Sequence, residues 1–455
     1  MGKRLRFGLF VVVILSLTLC FASTGMSAAP SGDPIVIGYV GMVLSPGTRP
    51  CMAIQKVACQ EINEAGGVLG RPLKYVIADN KGAMSLTVEG ARRLLMEEKA
   101  KFVFVEGRTE ICLAAQENSA TMFKDYPHIM IGGGMGSELT ARIFDDYDKY
   151  KFYFNDFDPE PAHYPQQRYF FGTMWPEMFT KAKGRRIQAA ILWEDLEWTK
   201  QWQSGIGYMN MPPWEEMMEK EFNIDVVYSK KVKPRGTMYL PLLQQIAGEK
   251  ADVILYISSW FAETESFVKQ WADSAAREIP VMLYGGVSQT SDFWQMTGGK
   301  ATGVLTTYME CRLPLTQKTV PFVEMAVKHK IPTQIPVHLA YADIYFIKKV
   351  IEKAGGVDDI NKLIKAMETT EITYSLGKMA YETQKVKPYF HSRIRVDLSD
   401  PLNKSIPGVY FQPMAQFGKN GEIRYLGGSC AENELILKKA GGGTAADYRY
   451  PAELR

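Results

Sequence analysis

The chain of 455 residues is poor in the groups that do chemistry, with only 5 histidines and 6 cysteines. One cysteine, Cys20, lies in the N-terminal segment. The others are Cys51, Cys59, Cys112, Cys311 and Cys430. None belongs to a Cys-x-x-Cys unit, which argues against a zinc site. No Gly-x-Ser-x-Gly, His-Glu-x-x-His or Gly-x-x-x-x-Gly-Lys-Ser/Thr motif occurs. The site of an enzyme needs a nucleophile or acid with a base beside it, and no such pair is legible. Asp79, at a strand end, is expected to cap a helix or hold a loop rather than to catalyse. Excess charge of one sign is also missing: the formal charge is +3. There is no basic stripe for nucleic acid and no polybasic tail for a membrane surface. Beyond the N-terminal segment no apolar run is long enough to span a bilayer. What is present is 46% hydrophobic and 12% aromatic content, enough to bury more than one core.

The N-terminus carries Lys3, Arg4 and Arg6, then an apolar run over residues 10–19, then the small residues Ser27, Ala28 and Ala29. This is the pattern of an export signal over residues 1–29. Its core is too short for a comfortable membrane span, and a retained anchor is the alternative. A lipid anchor at Cys20 is disfavoured, because Leu19 is bulky where such sites take a small residue. The mature protein is expected outside the cytoplasm, in the periplasm if the cell has an outer membrane.

Residues 34–41 form a short β-branched run, read as a buried strand. Ala53, Val57, Ala58 and Ile62 then recur at helical spacing. Gly66 and Gly67 stop that helix, since glycine closes a helix in the left-handed conformation without a Cβ penalty. A second strand over residues 73–79 ends at Asp79. A second helix carries Leu86, Val88, Ala91, Leu94 and Leu95, and a third strand spans residues 102–105. Such alternation predicts a parallel sheet covered on both faces. From Ile187 the pattern restarts, with strands ending at Trp193, Tyr228, Ile257 and Tyr284, which predicts a second lobe of the same kind.

The phrase Ile-x-Ile-Gly-x-x-Gly at residues 35–41, the run Glu61-Ile62-Asn63-Glu64-Ala65-Gly66-Gly67-Val68-Leu69-Gly70-Arg71 and the strand ending Asp79 resemble the leucine/isoleucine/valine-binding protein family. These are extracytoplasmic substrate-binding subunits of ABC importers. The resemblance runs from about residue 34 to about residue 427 and thins after residue 380. It implies an α/β type I periplasmic binding fold, two Rossmann-like lobes joined by a three-crossover hinge. The expected boundaries are 33–154 with 312–375 for one lobe, 155–311 with 376–430 for the other, and a C-terminal tail over 431–455. It also implies a small-molecule solute, membrane permease subunits as partners, no cofactor and a monomer. A sensor feeding a separate membrane receptor is the rival reading.

Ligands of open α/β sheets bind at the carboxyl ends of the strands. The loop after residue 105 offers Arg108 and Thr109 at a helix start, where backbone N–H groups favour an anion. In the resembled family this loop is serine-rich and holds a carboxylate. Arg108 is a departure, with a rim salt bridge to Glu106 or Glu110 as its other reading. Gly133 and Gly134 allow backbone to approach a ligand closely. Met135 stands about where the family has a hydroxyl residue. In the second lobe Trp198, Ser259 and Trp260 are expected ligand walls. The family holds an ammonium group with an acid just before a Gly-Val pair; here that pair is Gly286-Val287 and the residue before it is Gly285. An ammonium left without a counter-charge in a closed cleft is costly. The expected solute is therefore a carboxylate with an apolar or aromatic body, with a branched-chain amino acid or an amide as the alternative. Were the fold as implied, Cys51 and Cys112 would both begin helices at one edge of a lobe, a candidate disulfide, with buried free thiols as the alternative. Residues 207–214 read as an insertion, either a lid or a surface decoration. Residues 383–407 are longer than the family pattern, and the glycine-rich tail from Ala440 is expected to be loosely ordered.

Overall fold

A computed structural model describes residues 29–307, 313–409 and 411–454. The expected export signal with Cys20, apart from its last residue Ala29, and the expected lobe boundary at residues 311–312 with Cys311, lie outside the described residues. Among the described residues no helix is long and apolar enough to cross a membrane.

Strands β1 (Ile35–Gly41), β2 (Leu73–Asp79), β3 (Phe102–Val105), β4 (Ile129–Gly132) and β5 (Tyr153–Asn155) form a parallel sheet in the order β2-β1-β3-β4-β5. Strand β1 is buried along its whole length, whereas β2, at the edge, is only partly covered. Alternate residues of β1 point to opposite faces. Ile35, Ile37 and Tyr39 join one core with Leu339, Ile347 and Ile351. Val36 and Val40 join another with Leu94, Ile111 and Leu139. The helix α1 (Thr48–Glu64) ends as the glycines dictate: Gly67 has φ +73°, and a Cβ there would lie 2.2 Å from the Arg71 carbonyl oxygen.

The second sheet holds β6 (Ile187–Glu194), β7 (Ile224–Val232), β8 (Val253–Ile257), β9 (Val281–Tyr284) and β10 (Leu305–Thr307), all parallel. The antiparallel hairpin β13 (Met414–Phe417) and β14 (Ile423–Gly427) extends it past β10. Residues 376–380 do not join this sheet, although the sequence assigned the chain from residue 376 to the second lobe. Residues 371–380 form a separate antiparallel pair, β11 (Glu371–Tyr374) and β12 (Gly377–Ala380). Ile372, Leu376, Met379 and Val409 pack in the first lobe's core, so the chain joins the second sheet only at Met414.

Two further expectations change, and for a third the stated alternative holds. The glycine-rich tail is packed, because Ala445, Tyr448 and Tyr450 bury in the second lobe's core and outweigh the flexible glycines. The insertion is neither lid nor decoration as a whole. Tyr208 is exposed, but Trp214 is fully buried and stacks on Trp202 with ring centroids 4.3 Å apart. Cys51 and Cys112 are free: one thiol donates to the Gly47 carbonyl at 3.2 Å, the other to the Glu106 carbonyl at 3.1 Å. Both helices start where expected, but each thiol turns back onto its own loop.

Candidate functional site

A cavity of about 150 Å³ lies between the lobes, at the carboxyl ends of both sets of parallel strands. Each lobe contributes the loops that follow its strands. Tyr39 comes from β1, and Arg108 and Thr109 from the start of α2 (Thr109–Thr121) after β3. Gly133 and Met135 follow β4. Opposite stand Trp198 after β6, Ser259, Trp260 and Phe261 after β8, and Gly285 after β9. Of the residues predicted for the site, Gly134 alone does not line the cavity. Its Cα instead packs on Thr109, Cys112 and Leu139, so that an added Cβ would lie 2.7 Å from the Leu139 side chain.

The lobes touch across the cleft. The Arg108 guanidinium lies 5.3 Å from the centre of the Phe261 ring. Gln201 Nε2 donates to Glu138 Oε1 at 3.1 Å. A Cβ on Gly47 would lie 2.7 Å from Trp260 Cβ.

Arg108 is already engaged. Its Nη2 donates to the Gly82 carbonyl, and it pairs with Glu106 at 3.4 Å and Glu110 at 3.8 Å. The rim-salt-bridge reading is thus present in the structure, although Nε is buried without a hydrogen-bond partner. Thr109 Oγ1 accepts from Gly136 N at 3.0 Å, and Gly133 N donates to the Val105 carbonyl at 3.2 Å. The first turn of α2 adds backbone N–H groups of the kind every helix leaves without intrahelical acceptors. Asp79 holds a loop, accepting from Val43 N at 3.3 Å and Lys81 N at 3.0 Å.

Gly285 has φ +87°, and a Cβ there would lie 2.8 Å from the Ser258 carbonyl oxygen. The missing acid is therefore a property of the backbone as well as of the sequence, because a side chain at this position requires the loop to move. Glu194, the buried acid that ends β6, is committed elsewhere. It accepts from Trp198 Nε1 and from Ser259 N and Oγ, each at 2.8 Å.

Sequence reasoning missed the polar floor. Asp156, His163, Asp343 and Gln412 all line the cavity. Asp156 follows β5 directly, beside the expected lobe boundary at residues 154–155. Asp343 sits in a mostly apolar stretch of α3 (Ile335–Ala354), and an aspartate there was the available signal. Behind them stand Arg393, paired with Asp156 at 2.7 Å, and Arg395, paired with Asp158 at 2.5 Å. Both arginines come from residues 383–407, which gives that long stretch a place at the hinge. Burial holds the Asp343 carboxyl well above the usual range, Asp156 adds to this, and Arg393 opposes it. Burial and the Arg395 charge hold His163 well below its ordinary value.

A family model described as periplasmic binding protein matches residues 40–150 and 214–390, more than half of the chain. The chain belongs to the periplasmic binding protein family. It is 25% identical over 190 residues to Leu/Ile/Val-binding protein homolog 6 of Brucella abortus, covering 40% of this chain and 47% of that one. The match thus spans about half the length of the curated relative. Among solved structures, a putative branched-chain amino acid ABC transporter protein from Silicibacter pomeroyi has TM-score 0.66 and 18% identity, over 92% of this chain and 100% of that one. A solute-binding protein from R. palustris in complex with 4-hydroxybenzoate has TM-score 0.61 and 18% identity, over 86% and 95%. A leucine-binding protein from Thermotoga maritima has TM-score 0.62 and 15% identity, over 88% and 99%. At these identities the solved structures establish the type I periplasmic binding fold.

Proposed function

We propose that the protein is the extracytoplasmic solute-binding subunit of an ABC importer, and that its cleft takes a small carboxylate with an aromatic or flat apolar body. The observation that carries this reading is the pairing of an aromatic wall, Trp198 and Trp260, with a Gly285 backbone that leaves no room for an ammonium-binding acid. Size agrees: an apolar cavity of about 150 Å³ accommodates one benzene ring. The carboxylate is placed at the first turn of α2, beside Thr109 and Arg108, with Gly133, Met135, Ser259 and Gly285 completing the walls. The same fold holds 4-hydroxybenzoate and benzoate in the R. palustris complexes and also occurs in the leucine-binding protein from Thermotoga maritima, so it accommodates this ligand class without selecting it. The protein binds and releases; its work is hinge closure on the solute, which the membrane permease reads as a change of shape.

A second reading, a branched-chain amino acid or an amide, draws on the acids Glu110, Asp156 and Asp343 in the cavity wall. A thermal-shift screen separates the two, since a ligand that binds only the folded state raises the melting temperature. A rise with benzoate or 4-hydroxybenzoate and none with leucine, isoleucine or valine supports the first. The reverse pattern overturns it in favour of the second.

A further inference from the structure

Glu194 closes strand β6 and is fully buried, yet it stands behind the cavity rather than in its wall. Its carboxylate takes three hydrogen bonds of 2.8 Å: Trp198 Nε1 and Ser259 N reach Oε2, and Ser259 Oγ reaches Oε1. The donors belong to two separate loops, one after β6 and one after β8. Those loops carry Trp198, Ser259 and Trp260 into the cavity. One buried side chain thus ties together the two halves of the aromatic wall.

We infer that Glu194 is the positioning residue of this wall, and that its protonation state sets how tightly the cleft holds a ligand. The inference rests on reading the cleft as the solute site. An ionised carboxylate accepts all three bonds, and bonds to a charged acceptor are roughly twice as strong as those between neutral groups. Once protonated, Glu194 carries a proton on one oxygen. The Ser259 hydroxyl must then turn or lose its bond, and the other two bonds lose their charge. The wall loosens without any change in the residues that touch the ligand.

The surroundings make that switch operate at accessible pH. Burial pushes the Glu194 carboxyl up to about 7, against the bonds from Ser259 and Trp198 and with a further push from Glu110 on α2. The phenols of Tyr239 and Tyr256, on the other side, are raised by burial and remain neutral. His163, in the cavity wall, is held low and is neutral as well. Asp343, at the hinge side, is also held above the carboxylate range, so a Glu194 variant is needed to separate the two acids.

The test follows the Trp198 indole N–H by nitrogen-15 NMR in the ligand-free protein, assigned with Trp198→Phe. Between about pH 5.5 and about pH 8.5, spanning a carboxyl raised to near neutrality, the resonance shifts with a midpoint near neutrality. The transition is absent in Glu194→Gln. Ser259→Ala, which removes one donor to the ionised form, moves the midpoint to higher pH and serves if the first variant does not fold. In parallel, benzoate binding to wild type weakens at least roughly threefold from about pH 8 to about pH 6, and does not in Glu194→Gln. An indole resonance insensitive to pH, or a pH dependence of binding that survives in Glu194→Gln, overturns the inference. If benzoate binds at neither pH, the aromatic-carboxylate reading falls, and the indole titration alone decides the positioning role.

Discussion

Arg393 meets Asp156 with two nitrogens, Nε at 3.0 Å and Nη2 at 2.7 Å, and the same Nη2 also reaches Asp343 Oδ1. Three parts of the chain that are far apart in sequence converge on one guanidinium: the loop after β5, the long helix α3 and the late stretch over residues 383–407. Removing the cation leaves two carboxylates in a buried site, which costs about 3–5 kcal/mol. Arg393→Met should lower the unfolding free energy by that amount in urea titrations. Arg393→Lys should recover only part of it, because an ammonium cannot make the two-nitrogen contact. A loss below about 1 kcal/mol, the scale of an exposed pair, would show that the network does not hold the hinge.

Gly47 lies where the lobes meet, and its φ of −79° is open to any residue. In Gly47→Ala the new methyl meets Trp260 at 2.7 Å. The variant should therefore keep its stability but close less completely. Small-angle scattering with and without benzoate should show a smaller contraction than in wild type. Equal contraction would mean that Trp260 yields.

Trp214 tests the role of residues 207–214. It is fully buried and stacked on Trp202. Trp214→Ala should cost about 3–5 kcal/mol of stability, as large-to-small changes in a core do. A lid residue would instead weaken solute binding and leave the urea midpoint where it was.

Arg108→Ala examines the anion end of the site. The guanidinium is shared with Glu106, Glu110 and the Phe261 ring, so only part of its charge faces the cleft. Benzoate affinity should fall roughly tenfold, about 1.4 kcal/mol, by calorimetry. Unchanged affinity would remove Arg108 from the site.

Two carboxylates, the buried Glu194 and the partly buried Glu368, should shape the pH dependence of stability in opposite directions. Glu194 is raised from 4.5 to about 7, chiefly by burial. The folded state holds its proton longer than the unfolded chain, so its contribution is full below about pH 4.5 and is lost as pH rises through about 7. Glu368 is lowered to about 2, first by the His391 hydrogen bond and then by that of Tyr147, with burial opposing. Its contribution is present above about pH 4.5 and is lost as pH falls toward 2. Unfolding of Glu194→Gln should show a shallower first slope, since the buried acids Asp343 and Glu160, also raised, keep their share, and an unchanged second slope; a first slope as steep as in wild type would show that its assignment to Glu194 is wrong.

Local rules carried much of this structure. The mostly apolar runs at 35–41, 102–105 and 187–194 are strands because such residues fit a pleat buried on both faces. Gly67 is a turn because nothing larger fits beside Arg71. The βα alternation alone places Thr109, Trp198 and Trp260 at strand ends facing one cleft. Where local rules ended, so did the reading. The Gly-rich tail is ordered by Tyr448 and Tyr450, whose burial depends on a surface built some 270 residues earlier, around Lys181. Cys51 and Cys112 sit at neighbouring helix starts but bond to different carbonyls, which spacing does not reveal. The polar floor is the clearest case. Whether an aspartate is a solvated surface group or half of a buried pair depends on which cation arrives beside it. For Asp156 that cation is Arg393, 237 residues away. Periodicity and turn chemistry act over a few residues and are written into the chain. The partners of a buried charge exist only once the chain has closed on itself.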